Sequence, residues 1–257
     1  MMLASAGALF LVVGIVAAGA WWRAGGGDPG AIPRTAVIVD QLSLTQPNPS
    51  FVSEATNLLT AAGYRVDYVP GQLVNVEYYR TLPSKRYSLI LFRTHAATFR
   101  QADANHQFAL LFTGEPFSVA HHTDQLRNGQ LAEAIYYEGA APLFAITPEF
   151  IRRATTGSFR GSTIVMMGCN GLEYPGTGQA FLDRGASAFV SWDKQVTPGH
   201  TDLATEHLLQ HLLADGESVA SAVATTNRDL GPDPAFGATL AAVGKTALML
   251  RPTATAH

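Results

Sequence analysis

The chain has 257 residues, a formal net charge of -3, 47% hydrophobic and 14% charged residues, and one cysteine. That composition supplies a sizeable core and excludes an intrinsically disordered chain. The charge offers nucleic acid no basic face, and a single thiol excludes an internal disulfide.

The N-terminal stretch from Leu3 to Trp22 carries no charged residue. At about 1.5 Å per residue it is long enough to cross a hydrocarbon core of roughly 30 Å. Trp21 and Trp22 supply an interfacial aromatic belt and Arg23 the first fixed charge. Residues 1–22 therefore predict a transmembrane anchor or an uncleaved signal. The rival is a cleaved secretory signal peptide, for which Ala18-Gly19-Ala20 is a small-residue site but which lacks its basic n-region. Arg23 and Arg34 favour a cytoplasmic domain by the positive-inside rule, but two charges leave the side open. Residues 23–33, "RAGGGDPGAIP", read as a Gly/Pro linker, and 34–257 as one α/β domain.

Within that domain, "TAVIVD" (35–40) predicts a strand buried on both faces. "PSFVSEATNLLTAAGY" has helical spacing and a glycine stop at Gly63. "YRVDYV" (64–69) predicts a second strand, "VNVEYYRTL" (74–82) a short helix and "YSLILF" (87–92) a third strand. This alternation means parallel pairing with right-handed crossovers. Residues 97–150 break the pattern: "QFALLFTG" and "APLFAIT" predict strands of an antiparallel extension or flap. "TPEFIRRA" (147–154) predicts a helix capped by Thr147 with Pro148 in its first turn. "STIVMMG" is the fourth core strand, "TGQAFLDRG" a helix and "ASAFVSW" (186–192) the fifth strand. "TDLATEHLLQHLLADG" and "SVASAVATTNRDL" predict two helices, and "GATLAAVG" with "KTALML" a last hairpin or strand. The expected fold is a three-layer α/β sandwich with a mainly parallel central sheet, preceded by an N-terminal transmembrane helix.

In such sheets ligands gather beyond the carboxyl ends of the strands. The third strand delivers His95 to that edge and the fourth delivers Cys169. If the third and fourth strands are neighbours, their backbones lie about 4.8 Å apart and the two side chains come within reach of each other. An imidazole takes the proton and a thiolate attacks a carbonyl. Gly168 and Gly171 allow a sharp turn, which lets the Cys169 amide face a developing oxyanion. Taken singly, a cysteine is more often a buried hydrophobe and a histidine a satisfied polar residue. It is their joint placement that carries the reading.

These residues resemble the caspase-like cysteine peptidases, the group of caspases, legumains, gingipains, clostripain, separase and CHAT domains. In that group a histidine after the third strand pairs with a cysteine after the fourth, the places held here by "RTHAA" and "MMGCNG". The stretch "GTGQAFLDRGASAFVSWDKQVTPGHTD" is similar to the gingipain and CHAT continuation, and as a topology the resemblance covers roughly residues 35–230. One departure is Ala96, where the family usually has the glycine whose amide joins the oxyanion hole. The resemblance implies a cysteine peptidase acting through an acyl-enzyme, with His95 and Cys169 catalytic and the backbones of Ala96 and Cys169 forming the oxyanion hole. It needs no cofactor and takes a protein or peptide substrate. Its membrane tether would come from the N-terminal helix.

Other residues fall in the same frame. Asp40, ending the strand beside the third, either orients His95 or caps the next turn. Asp193, with Trp192 beside it, falls where the resemblance places the substrate pocket, and would favour Arg or Lys there; the bland reading is a solvated loop acid. Asp202 either begins the following helix or lines the same pocket. His207 and His211 share a helical face, and "HHTD" holds His121, His122 and Asp124, but the glutamate of H-E-x-x-H is absent. An exposed helix face and a polar loop explain both clusters without metal, so no metal ligand is assigned. "GTGQAF" lacks the lysine of a P-loop. Two other classes stay open: a catalytically weak or inactive caspase-like module that binds a protein through residues 97–150, and a thiol redox or acyl-transfer site.

Overall fold

The computed structural model describes residues 34–99 and 107–250. The expected anchor and linker, residues 1–33, lie outside the described residues. Among the described ones no helix is long and apolar enough to cross a membrane.

A six-stranded sheet forms the middle layer. Its strands are β1 (Thr35–Asp40), β2 (Arg65–Pro70), β3 (Leu89–Arg93), β8 (Thr163–Met166), β9 (Ala188–Trp192) and β10 (Leu240–Gly244), in the order β10-β9-β8-β3-β1-β2. All neighbours are parallel except β10, which runs antiparallel to β9. The β-branched and aliphatic runs make these strands double-sided. Ala36, Ile38, Leu89, Leu91, Val165 and Val190 enter one core, and the alternate residues Val37, Val39, Ile90, Phe92, Ile164 and Phe189 the other. The first core is covered by α1 (Pro49–Ala61), α6 (Pro198–Leu209) and α7 (Val219–Leu230), through Phe51, Leu59, Leu208 and Val219. The second is covered by α2 (Val76–Thr81), α4 (Pro148–Arg153) and α5 (Pro175–Asp183), through Tyr79, Phe150 and Phe181. This is the expected three-layer sandwich.

The helix limits follow their local chemistry. Asn48 and Thr147 accept amide bonds at the starts of α1 and α4, each followed by proline in the first turn. Gly63 (φ 84°) and Gly185 (φ 98°) turn the chain after α1 and α5 in the left-handed region that favours glycine.

The irregular stretch folds as a separate four-stranded antiparallel sheet, β4-β5-β7-β6, from β4 (Ala96–Phe99), β5 (Phe108–Pro116), β6 (Leu131–Ala134) and β7 (Leu143–Ile146). Two of these, β4 and β6, were not expected, nor was the short helix α3 (Thr123–Arg127). Each spans only four or five residues, too short for a period to declare itself. "KTALML" adds no strand beside β10; Met249 makes one isolated bridge to Ser218.

At the carboxyl end of the central sheet, Arg93 is almost wholly buried. Its Nη1 donates to Asp40 Oδ1 at 2.8 Å, and its Nε and Nη2 donate to Asp202 Oδ1 and Oδ2, both at 2.8 Å. Nη2 also donates to the Gln46 carbonyl, and the guanidinium lies over the Phe51 ring. Removing one partner from such a site leaves an uncompensated buried charge, at a cost of about 3–5 kcal/mol. Asp202→Ala is accordingly expected to lower stability by about that amount, read from the urea midpoint at unchanged m-value.

Candidate active site

The register of the central sheet brings the two expected residues to one place. Phe92 pairs with Met166 in the β3–β8 ladder, and the Met167 amide donates to the Phe92 carbonyl. His95 and Cys169 each lie three residues beyond that pair. Glycine makes the close approach feasible: a Cβ on Gly168 would lie 2.6 Å from the Thr94 carbonyl oxygen and 2.9 Å from the Ala96 Cβ. A Cβ on Gly171 would lie 2.1 Å from Ser191 Oγ. Between them Asn170 turns the chain at φ 61°. Its amide donates to the Lys194 carbonyl and its side chain bonds Glu173.

His95 and Cys169 line a common cavity of about 200 Å³ with Leu42, Thr94, Val196 and Phe236. His95 also lines a neighbouring groove of about 620 Å³, whose walls include Thr98, Tyr136, Glu173 and Lys194. No hydrogen bond joins the two side chains. His95 Nε2 instead meets Thr45 Oγ1 at 2.7 Å, and its ring packs on Tyr136 with centroids 4.6 Å apart. The sulfur lies 3.6 Å from the Val196 carbonyl oxygen. Burial, followed by the charge of Arg93, pushes the His95 pKa down to about 4. Burial pushes the Cys169 thiol up from its ordinary value. The resting pair is a neutral imidazole and a protonated thiol, with no ion pair between them.

Ala96 begins β4, an edge strand. Its register against Leu111, with the Phe112 amide donating to the His95 carbonyl, makes it a non-hydrogen-bonded position. Its amide therefore points away from β5, on the side where Gly168 packs. Ala96 is not among the residues at positive φ, so a side chain here carries no left-handed strain.

Asp40 is held by Arg93, and also accepts from the Ser43 amide at 3.0 Å and the Tyr68 hydroxyl at 3.1 Å. It therefore caps the following turn and makes no hydrogen bond to His95. Asp193 accepts from the Thr239 amide and hydroxyl at 2.7 and 2.8 Å. Trp192 is buried and donates to Thr201 Oγ1 at 2.9 Å. Neither lines the two cavities beside His95; the charged side chains that do are Glu173 and Lys194. Asp202 neither begins α6, of which it is the fifth residue, nor lines the two cavities; it sits in the Arg93 network, where Asn48 Nδ2 also donates to it at 2.9 Å. His122 bonds Glu115 at 2.7 Å.

Three supporting residues escaped the sequence reading. Gln41 Oε1 accepts the His95 amide at 2.9 Å, while its Nε2 donates to the Tyr136 hydroxyl at 2.6 Å. Thr45 holds the imidazole. Asp233, itself buried, takes the Thr197 amide and hydroxyl and the Ala235 and Phe236 amides, fixing two loops that wall the cysteine cavity. None stands in a motif; the one signal was a polar pair, Asp40-Gln41, ending an apolar strand.

No family model and no curated protein matches the chain. Among solved structures, the chain is similar to the Arg-specific cysteine proteinase gingipain R, at TM-score 0.50 and 13% identity. That match covers 84% of this chain and 47% of that one. A structural-genomics protein from Geobacter sulfurreducens aligns at TM-score 0.43 and 10% identity, over 86% of this chain and 98% of the other. The chain thus has the caspase-like fold, and spans about half the length of gingipain R (47%).

The depressed His95 pKa has a signed consequence. An unfolded histidine titrates near 6.5 and the folded one near 4, so between those values the unfolded chain binds more protons and stability falls as pH falls. From about pH 7 to about pH 4.5, wild type is expected to lose more stability than His95→Gln, measured as the change in urea midpoint.

Proposed function

We propose that the chain is a cysteine-type endopeptidase that hydrolyses peptide bonds through Cys169 and His95. The observation that carries this reading is the delivery of both residues, from matched positions on adjacent parallel strands, into one cavity. That cavity adjoins a groove of about 620 Å³, roomy enough for an extended peptide. The caspase-like fold supports the same reading.

In this mechanism substrate entry frees His95 from Thr45. The imidazole takes the thiol proton and the thiolate attacks the scissile carbonyl carbon. The oxyanion is held by the amides of Cys169 and Ala96. The carbon–nitrogen bond then breaks, with the imidazolium returning its proton to the leaving amine. Water, deprotonated by His95, next hydrolyses the thioester and restores the thiol. No cofactor enters these steps. The Leu3–Trp22 stretch tethers the enzyme to a membrane, and its substrate is a protein or peptide.

A second reading rests on the resting contacts. An imidazole engaged by Thr45 and a thiol raised by burial also describe a caspase-like domain that has lost catalysis and binds a protein partner through its second sheet.

The two readings part on covalent labelling. With an electrophilic peptide, Cys169 is expected to be modified, and His95→Ala to slow modification by about 10²–10⁴-fold; equal slow rates in both proteins would favour the binding module. The full chain is further expected to sediment with membranes after alkaline extraction, and a chain starting at Arg34 to stay in the supernatant.

A further inference from the structure

The far end of α6 holds a second constellation, remote in sequence from the cysteine edge. His207 and His211 lie four residues apart on one helical face, with ring centroids 6.4 Å apart. The next helix, α7, brings Asp229 against them. One ligand atom from each of His207, His211 and Asp229 falls within 4.8 Å of the other two. The sequence shows the two histidines but not the carboxylate, because Asp229 joins them only when α7 folds back after Gly216 (φ 72°).

The two nitrogens of His211 are treated differently. Nδ1 meets Asp215 Oδ2 at 2.9 Å. Nε2 is shut off from solvent and makes no hydrogen bond, although Asp229 Oδ2 lies 3.3 Å away. An imidazole that gives one N–H to a carboxylate and points its other nitrogen at further donors is the arrangement of a metal-bound histidine. The spacing agrees: two ligands about 2.1 Å from a tetrahedral zinc ion stand ~3.4 Å apart.

The backbone supplies an independent sign. Beyond Leu209, α6 widens into a π-turn over Gln210–Ala214 that contains His211, closed by the Asp215 amide on the Gln210 carbonyl at 3.1 Å. Such turns are uncommon and concentrate at functional sites. Here the turn carries both His211 and, immediately after it, the Asp215 that orients it. The remaining acid, Glu217, stands 3.8 Å from Nδ1 and is engaged by Ser221 and Thr225. Asp229 Oδ1 faces Arg228 at 3.3 Å, while its Oδ2 faces His211.

We propose that His207, His211 and Asp229 form a binding site for a divalent transition-metal ion of the zinc class, with Asp215 orienting His211 and water completing the coordination. Two imidazoles and one carboxylate suit zinc rather than calcium or magnesium, which prefer oxygen ligands. Leu208 stands where H-E-x-x-H has its glutamate, so the hydrolytic zinc signature is absent. Its role is to clamp α6 to α7. The site is independent of Cys169 and His95 and stands whether or not the chain is a peptidase.

The test uses the tag-free full-length chain, stripped with chelator and titrated with Zn²⁺ by calorimetry and Co²⁺ by visible absorption. One equivalent of Zn²⁺ is expected to bind and raise Tm, and Co²⁺ to give the intense d–d bands of a four-coordinate site. His207→Gln and Asp229→Asn, checked by circular dichroism, are each expected to abolish the bands; Asp215→Asn should weaken Zn²⁺ binding by about 10–100-fold. His121→Gln should bind as wild type does. Failure of the wild type to bind Zn²⁺ stoichiometrically would overturn the proposal, as would undiminished binding in both folded ligand variants.

Discussion

Everything at the functional edge hangs on one buried cation. Arg93 ends the third strand with almost no exposure, so its charge has to be met inside the protein, where an isolated ion is prohibitively costly. Burial works against the charge, but the hydrogen bonds of Asp202 and Asp40 outweigh it and hold Arg93 more basic than an ordinary arginine. Its partners come from three directions: the end of β1, the turn after it at Gln46, and the second turn of α6. Asn48 adds a fourth by donating to Asp202 while capping α1. The loops around the site are thereby tied to the sheet by short polar bonds, and this gives a cysteine and a histidine fixed positions.

Close packing completes the platform. The two strand ends touch because Gly168 has no side chain to hold them apart, and Gly171 lets the following turn press onto Ser191. Immediately after His95 the chain leaves the central sheet as β4, the edge of the second sheet. The groove beside the histidine is therefore walled by β4 and β5 of the second sheet and by loop residues, among them Asn170 and Glu173 beyond β8 and Lys194 beyond β9. Low dielectric around this junction explains the resting protonation: the imidazole stays neutral and the thiol stays protonated, each for want of a counter-ion. Any chemistry here starts from proton transfer within the pair, rather than from a stored thiolate.

Much of this was legible in the chain. Continuous apolar runs located the inner parallel strands, alternation the edge strand β2, and glycine stops the ends of α1 and α5, because burial and left-handed turns leave compositional marks at the residues concerned. The meeting of His95 and Cys169 was legible only on the condition that the third and fourth strands are neighbours, which the fold meets; matched offsets past adjacent strands then deliver side chains to the same edge. Short pieces of the second sheet left no such mark. The roles of charged residues were harder still. Asp40 and Asp193 stand where triad and pocket residues would stand, yet their carboxylates are taken by Arg93 and by Thr239.

The sequence by itself determined the layers, the delivery of histidine and cysteine to the carboxyl ends of their strands, and the glycines that let those ends touch; these depend on local periodicity and on steric size, which are properties of individual residues. Tertiary structure decided which acid binds which cation, which hydroxyl holds the imidazole, and that Asp229 faces two histidines from another helix. Partner choice is a competition among groups distant in the chain, settled by a few ångströms and by burial, and only the folded chain fixes either.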